Sequence, residues 1–381
     1  MDVSLSNSIE KGSYEFALKL YKLLSSKDNN LIVSPFSVSN ALAMVLYGAR
    51  GNTLLEMSKV IFGKEISENQ NKSLAQLFND LVNKNVKANS QVLNVGNFLY
   101  NQLEYEILAD YKETLKNCFD AKAIELDFKS SESVKKINDD VSVATKGKIT
   151  DLIDSIDPLT RLILVNAVYF KGLWKSQFKK ESTEKSTFNL SNGNQIEVEM
   201  MFQNKKFRFA YDDKLKFKAL EMDYQNSNTS MLLLLPDEGT SIEDLESKLN
   251  VDILNELINE KMWEHEVNVY LPRFKLESEI GLIPSLKQLG LNDMFSNHGN
   301  FLGITNKEEL YVSNVIQKAV IEVNEEGTEA AAATAVMISL CASLPSPLIE
   351  FKADKPFMLM LRSKYQHNKQ LVLFMGAVKH P

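Results

Sequence analysis

The sequence predicts an α+β fold, and three observations carry that reading. Residues 16–82 place apolar side chains at helical spacing, residues 162–170 form an unbroken apolar run, and beyond Trp174 the pattern turns into strands and tight turns. Strand segments so far apart in the chain must pair over long distances, and no internal repeat organises them.

In chain order, Phe16, Leu20, Leu23 and Leu24 recur at helical spacing and predict an amphipathic first helix. Residues 38–46 are apolar on nearly every side, so a buried helix is expected there, with Gly48 as its C-terminal cap. Thr53 and Glu56 have the spacing of a capping box for a helix reaching Ile61, and residues 74–82 continue the helical period. Residues 91–100 read as a strand, 107–119 as a helix and 123–128 as a strand. A further helix runs to about Thr145 and stops at Gly147.

The run 162–170 has the β-branched content of a central strand covered on both faces. Asn192-Gly193 signals a hairpin between Phe188/Leu190 and Ile196/Val198. Phe207, Phe209, Leu215, Phe217 and residues 231–235 mark further strands. A helix over 242–259, a strand over 267–271, a helix over 283–289 and strands over 310–323, 356–361 and 371–378 complete the order.

At 381 residues the length allows two or three domains, but no Gly/Ser/Pro-rich linker or charge block divides the chain. One domain over 1–381 is therefore expected, and 44% apolar residues suit a large core. The net charge is −7 and no basic run exceeds a pair, which argues against a nucleic-acid partner. Residues 72–87 carry too few basic groups for a polyanion site and read as a solvated helix face. The first residues are polar, with neither a signal-peptide core nor a run long enough to span a membrane. Two locations stay open: a cytoplasmic protein, or a mature extracellular chain with an added methionine.

Cys118 and Cys341 do not make a disulfide framework, and Cys118 reads as an ordinary core thiol. The sequons at Asn71, Asn189 and Asn228 are chance matches expected of an Asn-rich chain. The four histidines, His265, His298, His367 and His380, lack metal-ligand spacing, and no GxGxxG, P-loop, GxSxG or CxxC occurs. Neither enzyme activity nor a metal or cofactor is expected. Cys341 has no histidine near it in sequence, so an apolar side chain displayed to a partner is the better reading than a nucleophile.

Residues 325–347 are the unusual stretch. From Thr328 to Leu344 there is no glycine or proline, and after Glu329 no charge. That is a poor composition for a surface loop. Four alanines, Ala330, Ala331, Ala332 and Ala333, favour a helix. A strand fits equally, with Thr328, Ala330, Ala332, Thr334, Val336, Ile338 and Leu340 on one uncharged face. The stretch suits two states, one exposed and one inserted in a sheet.

Several of these residues also resemble a known family. Glu325, Gly327, Thr328, Glu329, Ala330, Ala331, Ala332, Ala333 and Thr334 are similar to the reactive-loop hinge of an inhibitory serpin. The Phe-x-Ala-Asp-x-Pro-Phe sequence from Phe351 to Phe357 resembles that family's C-terminal signature, with Lys355 where His or Arg is usual. Ser34-Pro35-Phe36-Ser37, the stretch from Val165 through Trp174, and Leu286-x-x-Leu289-Gly290 resemble further landmarks in family order. Asp140 stands where the family has an aromatic residue, and Gln317 where it often has a histidine.

The resemblance implies a serpin fold with three β-sheets, about nine helices and an exposed reactive-centre loop over about 325–347. It implies suicide inhibition of a protease: the target's nucleophile attacks a loop carbonyl, and at the acyl-enzyme stage the loop enters the central sheet as a strand. The family register puts the reactive bond about fourteen residues past Gly327, at Cys341–Ala342, with Leu340–Cys341 as the alternative. Those residues suit elastase-like or chymotrypsin-like enzymes, while papain-like cysteine proteases are an alternative through Leu340. Ser34, Ser37, Asn166 and Gln317 resemble the shutter beneath the insertion site, and Trp174 the breach above it. For these, ordinary core hydrogen bonding is the plainer reading. A covalent complex with the protease is the expected partnership, with a monomer capable of loop–sheet polymerisation. The rival is a non-inhibitory carrier, chaperone or storage serpin.

Overall fold

The computed structural model describes residues 3–85, 93–307, 309–326, 349–365 and 369–381. Among the described residues are nine α-helices: α1 (Val3–Leu24), α2 (Pro35–Gly48), α3 (Gly51–Phe62), α4 (Asn71–Asn85), α5 (Ala109–Phe119), α6 (Ser131–Ala144), α7 (Ile242–Lys248), α8 (Val251–Glu256) and α9 (Ile283–Gln288). The first half of the chain supplies strands β1 (Leu31–Val33), β2 (Leu93–Gln102), β3 (Lys122–Leu126), β4 (Leu162–Phe170) and β5 (Thr183–Asn189). After them come β6 (Gln195–Asp212), β7 (Phe217–Asp223), β8 (Thr229–Pro236), β9 (Trp263–Pro272) and β10 (Phe274–Gly281). The last four are β11 (Val312–Val323), β12 (Ile349–Lys352), β13 (Phe357–Tyr365) and β14 (Lys369–Val378).

A five-stranded sheet runs β10-β11-β4-β2-β3, and a nine-stranded network runs β1-β14-β13-β8-β7-β6-β9-β12 with β5 beside β6. The three expected sheets are present, two of them joined. At 18 residues, β6 is long enough to pair with β5 along its first part, with β9 along its middle and with β7 at its end.

Burial explains the apolar runs. Helix α2 packs on β14 on one side and on β2 and β4 on the other, so nearly all of it is buried. Ser34 caps it by accepting from the Ser37 N–H, with Pro35 at the first helical position. Strand β4 is buried along its length, with α2 on one face and α6 and its trailing segment on the other. The opposed face of β2 includes Gly96, where a Cβ would come within 2.8 Å of the Ala144 methyl. A side chain there would push α6 off the sheet.

Three local expectations are corrected by tertiary contacts, and one strand the sequence did not suggest is added. Gly48 is the last helical residue and no left-handed cap; a Cβ there would meet the Ile304 side chain at 2.2 Å. Thr53 and Glu56 do not form a capping box, because both lie inside α3. They accept from neighbouring backbone instead, Thr53 from the Asn300 N–H and Glu56 from those of Asn292 and Asp293. The helix over 242–259 breaks at Leu249, and Asn250 caps the second piece. Strand β10, whose charged residues hid its period, pairs along its whole length with β11, from Phe274 opposite Val323 to Gly281 opposite Ile316.

Candidate functional site

In the five-stranded sheet the central strand β4 and its neighbour β11 lie side by side in parallel, from Val312 opposite Leu162 to Ile321 opposite Phe170. Only Asn324 and Glu325 separate the end of β11 from Glu326, the last described residue before β12 in the other sheet. The site is this seam and its upper end.

Midway along the seam, Gln317 of β11 faces Asn166 of β4, and Asn166 faces Asn97 of β2. The Gln317 amide donates to Asn166 Oδ1 and to the Ser34 carbonyl (3.1 Å), and its oxygen accepts from the Ser34 N–H (2.8 Å). Asn166 donates to Ser37 Oγ (2.6 Å) and to Asn97 Oδ1 (2.7 Å). The Ser34 hydroxyl donates to the Leu373 carbonyl of β14 at 2.6 Å. All five side chains are buried, so each bond broken here leaves a dry polar group costing about 1–3 kcal/mol. The network ties the seam to α2 and to the second sheet. None of its members ionises near neutral pH.

At the upper end Trp174 is 1% exposed and stacks on Tyr224, with ring centroids 4.4 Å apart. Tyr224 in turn meets Phe170 edge-on at 4.9 Å. Trp174 Nε1 donates to the Asn324 carbonyl (2.9 Å) and its backbone N–H to the Glu326 carbonyl (3.2 Å), while the Phe178 N–H donates to the Glu325 carbonyl (3.0 Å). The exit of β11 is thus held by one indole and two backbone donors from the segment 174–178, which the stacked rings anchor.

Glu325 is 2% exposed and grips Arg273 through two nitrogens, Nε at 3.1 Å and Nη2, and also accepts from the Thr183 hydroxyl at 2.6 Å. Burial alone would raise its pKa; the Arg273 guanidinium and the Thr183 hydroxyl outweigh that and hold the carboxyl below its usual range. The same contact raises the pKa of Arg273. Glu326 pairs with Lys180. Glu325, Arg273, Glu326 and Lys180, with Lys148, Tyr169 and Glu322, line a cleft of about 660 Å³ at the top of the seam.

Of the residues singled out in sequence, Ser34, Ser37, Asn166 and Gln317 meet in one network, and Trp174 and Glu325 meet at the exit of β11. Gly327, Thr328, Glu329, Ala330, Ala331, Ala332, Ala333 and Thr334 lie outside the described residues, as do Leu340, Cys341 and Ala342. Cys118 is half-buried in α5, where burial pushes its thiol pKa up, away from reactivity. Asn71, the first of the sequons, is buried. Asn97, Tyr224, Arg273 and Thr183 were not foreseen. No spacing rule reaches them; the one available signal was Glu325 itself, an acid that must find a cation if buried.

A family model described as "Serpin (serine protease inhibitor)" matches residues 11–381. The leukocyte elastase inhibitor of Sus scrofa is 38% identical over 377 residues, covering 96% of this chain and 97% of that protein. Its counterpart in Homo sapiens is 37% identical over 386 residues, covering 98% and 99%. Among solved structures, human thyroxine-binding globulin complexed with thyroxine has a TM-score of 0.87 at 28% identity, covering 99% of each chain.

Proposed function

Because the chain belongs to the serpin family, we propose that it is a suicide-substrate inhibitor of serine proteases with elastase-like or chymotrypsin-like specificity. The observation that carries the reading is the β4–β11 seam with the loop root at its top. A chain leaving β11 at Val323 and turning back enters antiparallel to both neighbours. One parallel ladder is then exchanged for two antiparallel ones, the more stable kind. About a dozen inserted residues add backbone bonds worth roughly 0.5–1.5 kcal/mol net each, on the order of 10 kcal/mol in all.

The composition of residues 328–344 suits that step. An inward charge without a partner costs several kcal/mol and a proline deletes ladder bonds; the inward face from Thr328 to Leu340 has neither. The Asn166–Gln317 bond must part as the sheet opens, while the Trp174 post holds the point of entry. The protease, joined as an acyl-enzyme at Cys341 or Leu340, is carried along and its active site deformed before water can release it. The protein acts as a monomer consumed one for one, and the same open seam accepts the loop of a second copy. The pig and human relatives bear the name of an elastase inhibitor, which supports the choice of target.

The test is incubation with elastase and with chymotrypsin, followed by a denaturing gel and mass analysis of the released C-terminal peptide. A covalent band and a peptide beginning at Ala342, or at Cys341, are expected. Cleavage with no covalent band overturns the reading. It would favour the non-inhibitory alternative, a carrier, chaperone or storage serpin, to which the likeness to thyroxine-binding globulin lends support. A covalent band with papain in place of the serine proteases would move the target class to cysteine proteases through Leu340.

A further inference from the structure

We propose that a pocket at the lower end of the seam binds an aromatic carboxylate, and that the ligand, by touching both strands, holds β4 and β11 together. The tie between the strands rests on the insertion mechanism proposed above; the binding site itself does not. The pocket measures about 520 Å³, within the range of about 300–1,000 Å³ usual for small-molecule sites. Neither the loop root nor the buried Ser34 network contributes to its lining.

The pocket exists because two ladders fail along the first residues of β11. Strand β10 reaches only to Gly281 opposite Ile316. After one more bond, from the Leu282 N–H to the Val315 carbonyl (2.8 Å), the chain turns away into α9. On the other side the pairing with β4 slips between Val312 and Asn314, leaving Ser313 without a partner in β4. A bulge of this kind bends its strand and re-aims side chains, and bulges gather beside functional sites. Here the Arg161 N–H fixes it by donating to the Ser313 hydroxyl (2.9 Å). The Arg161 guanidinium lies 4.5 Å over the Tyr311 ring and sets that ring as one wall.

Apolar walls come from both sides of the seam, Ile163 from β4 and Ile316 from β11, with Ile283 of α9 and Phe295 closing the outer side. Ile283, Phe295 and Tyr311 are only half-buried, so the chain leaves part of this surface uncovered. Three polar side chains on the lining have no partner among the described residues. Lys287 forms no ion pair, its ammonium lying 5.9 Å from the Phe295 ring centre. The Asn314 amide and the Ser155 hydroxyl make no hydrogen bond. Asp157, the acid on the lining, accepts from the Leu159 N–H (2.8 Å) within its own turn and is not paired with Lys287.

That set selects one chemistry. A carboxylate gives Lys287 its missing counter-charge, flat rings stack beside Phe295 and Tyr311, and Asn314 can donate to or accept from the ligand. A strand inserted between β4 and β11 would part the Ile163 and Ile316 walls by about 4.8 Å. A ligand that needs both walls therefore stabilises the closed seam by as much as its affinity falls on opening.

The test titrates full-length protein with 2-naphthoate by calorimetry, before and after cleavage of the reactive loop, with the uncharged 2-naphthamide for comparison. Uncleaved wild type is expected to bind one equivalent of naphthoate with a Kd of about 0.1–1 mM, and naphthamide about tenfold more weakly. Lys287→Gln should lose about tenfold for naphthoate and nothing for naphthamide, whereas Asn314→Leu should weaken both. No binding, or an unchanged naphthoate affinity in Lys287→Gln, overturns the site. The cleaved form should bind about fivefold more weakly or worse; equal affinity overturns the tie between the strands. If cleavage leaves the unfolding midpoint where it was, no strand has entered. The insertion reading then fails, and the pocket stands or falls on the Lys287→Gln titration.

Discussion

Replacing Glu325 with alanine tests whether the loop root is held by its buried ion pair. The substitution removes both bonds to Arg273 and the bond from Thr183. Breaking a buried pair costs about 3–5 kcal/mol when the abandoned charge stays buried. The Arg273 side chain is 44% exposed, so it can turn to water, and the cost falls to about 2–3 kcal/mol. With an unfolding entropy near 2.1 cal/mol/K per residue, a chain of 381 residues loses about 3 °C of midpoint.

The pH dependence has a fixed sign. The folded carboxyl titrates below its unfolded value of about 4.3. Its contribution is therefore complete above that value and lost as pH falls through the depressed folded one. Thermal unfolding of uncleaved wild type and Glu325→Ala, followed by circular dichroism at pH 7 and in acid, reads both effects. A variant melting within 1 °C of wild type at pH 7, or a gap that widens in acid, would refute the assignment.

Three further outcomes are expected. Asn166→Ala strips partners from Ser37, Asn97 and Gln317, so the uncleaved form should lose about 2–4 kcal/mol in denaturant unfolding; a loss under 1 kcal/mol would show the network to be incidental. Gln317→His places an imidazole in a site with no carboxylate in its network. Held neutral by burial, it should make stability fall as pH drops through about 6.5, where wild type shows no such step attributable to this position. Thr328→Arg sets a charge at the start of the inserting face, and the protein should become a plain substrate. A denaturant-resistant protease complex formed by that variant would contradict insertion.

What the chain determines on its own is what depends on neighbours in sequence. The apolar run 162–170 coincides with β4 because a strand buried on both faces needs no polar alternation. Asn192-Gly193 turned where expected, with Gly193 at φ +83°, because the turn's geometry is local. The family landmarks marked Ser34, Ser37, Asn166, Trp174 and Gln317 in advance. Only the fold brought four of them into one buried network and set Trp174 against Tyr224 and the exit of β11. Thr53 and Glu56 are the instructive failure. Their spacing suits a cap, but tertiary backbone donors claimed both side chains. The pairing of Glu325 with Arg273 and of Asp140 with Tyr100 was likewise decided in three dimensions. A buried charge or hydroxyl takes whatever partner the packing brings within about 3 Å, and no rule of sequence spacing encodes a partner 52 or 40 residues away.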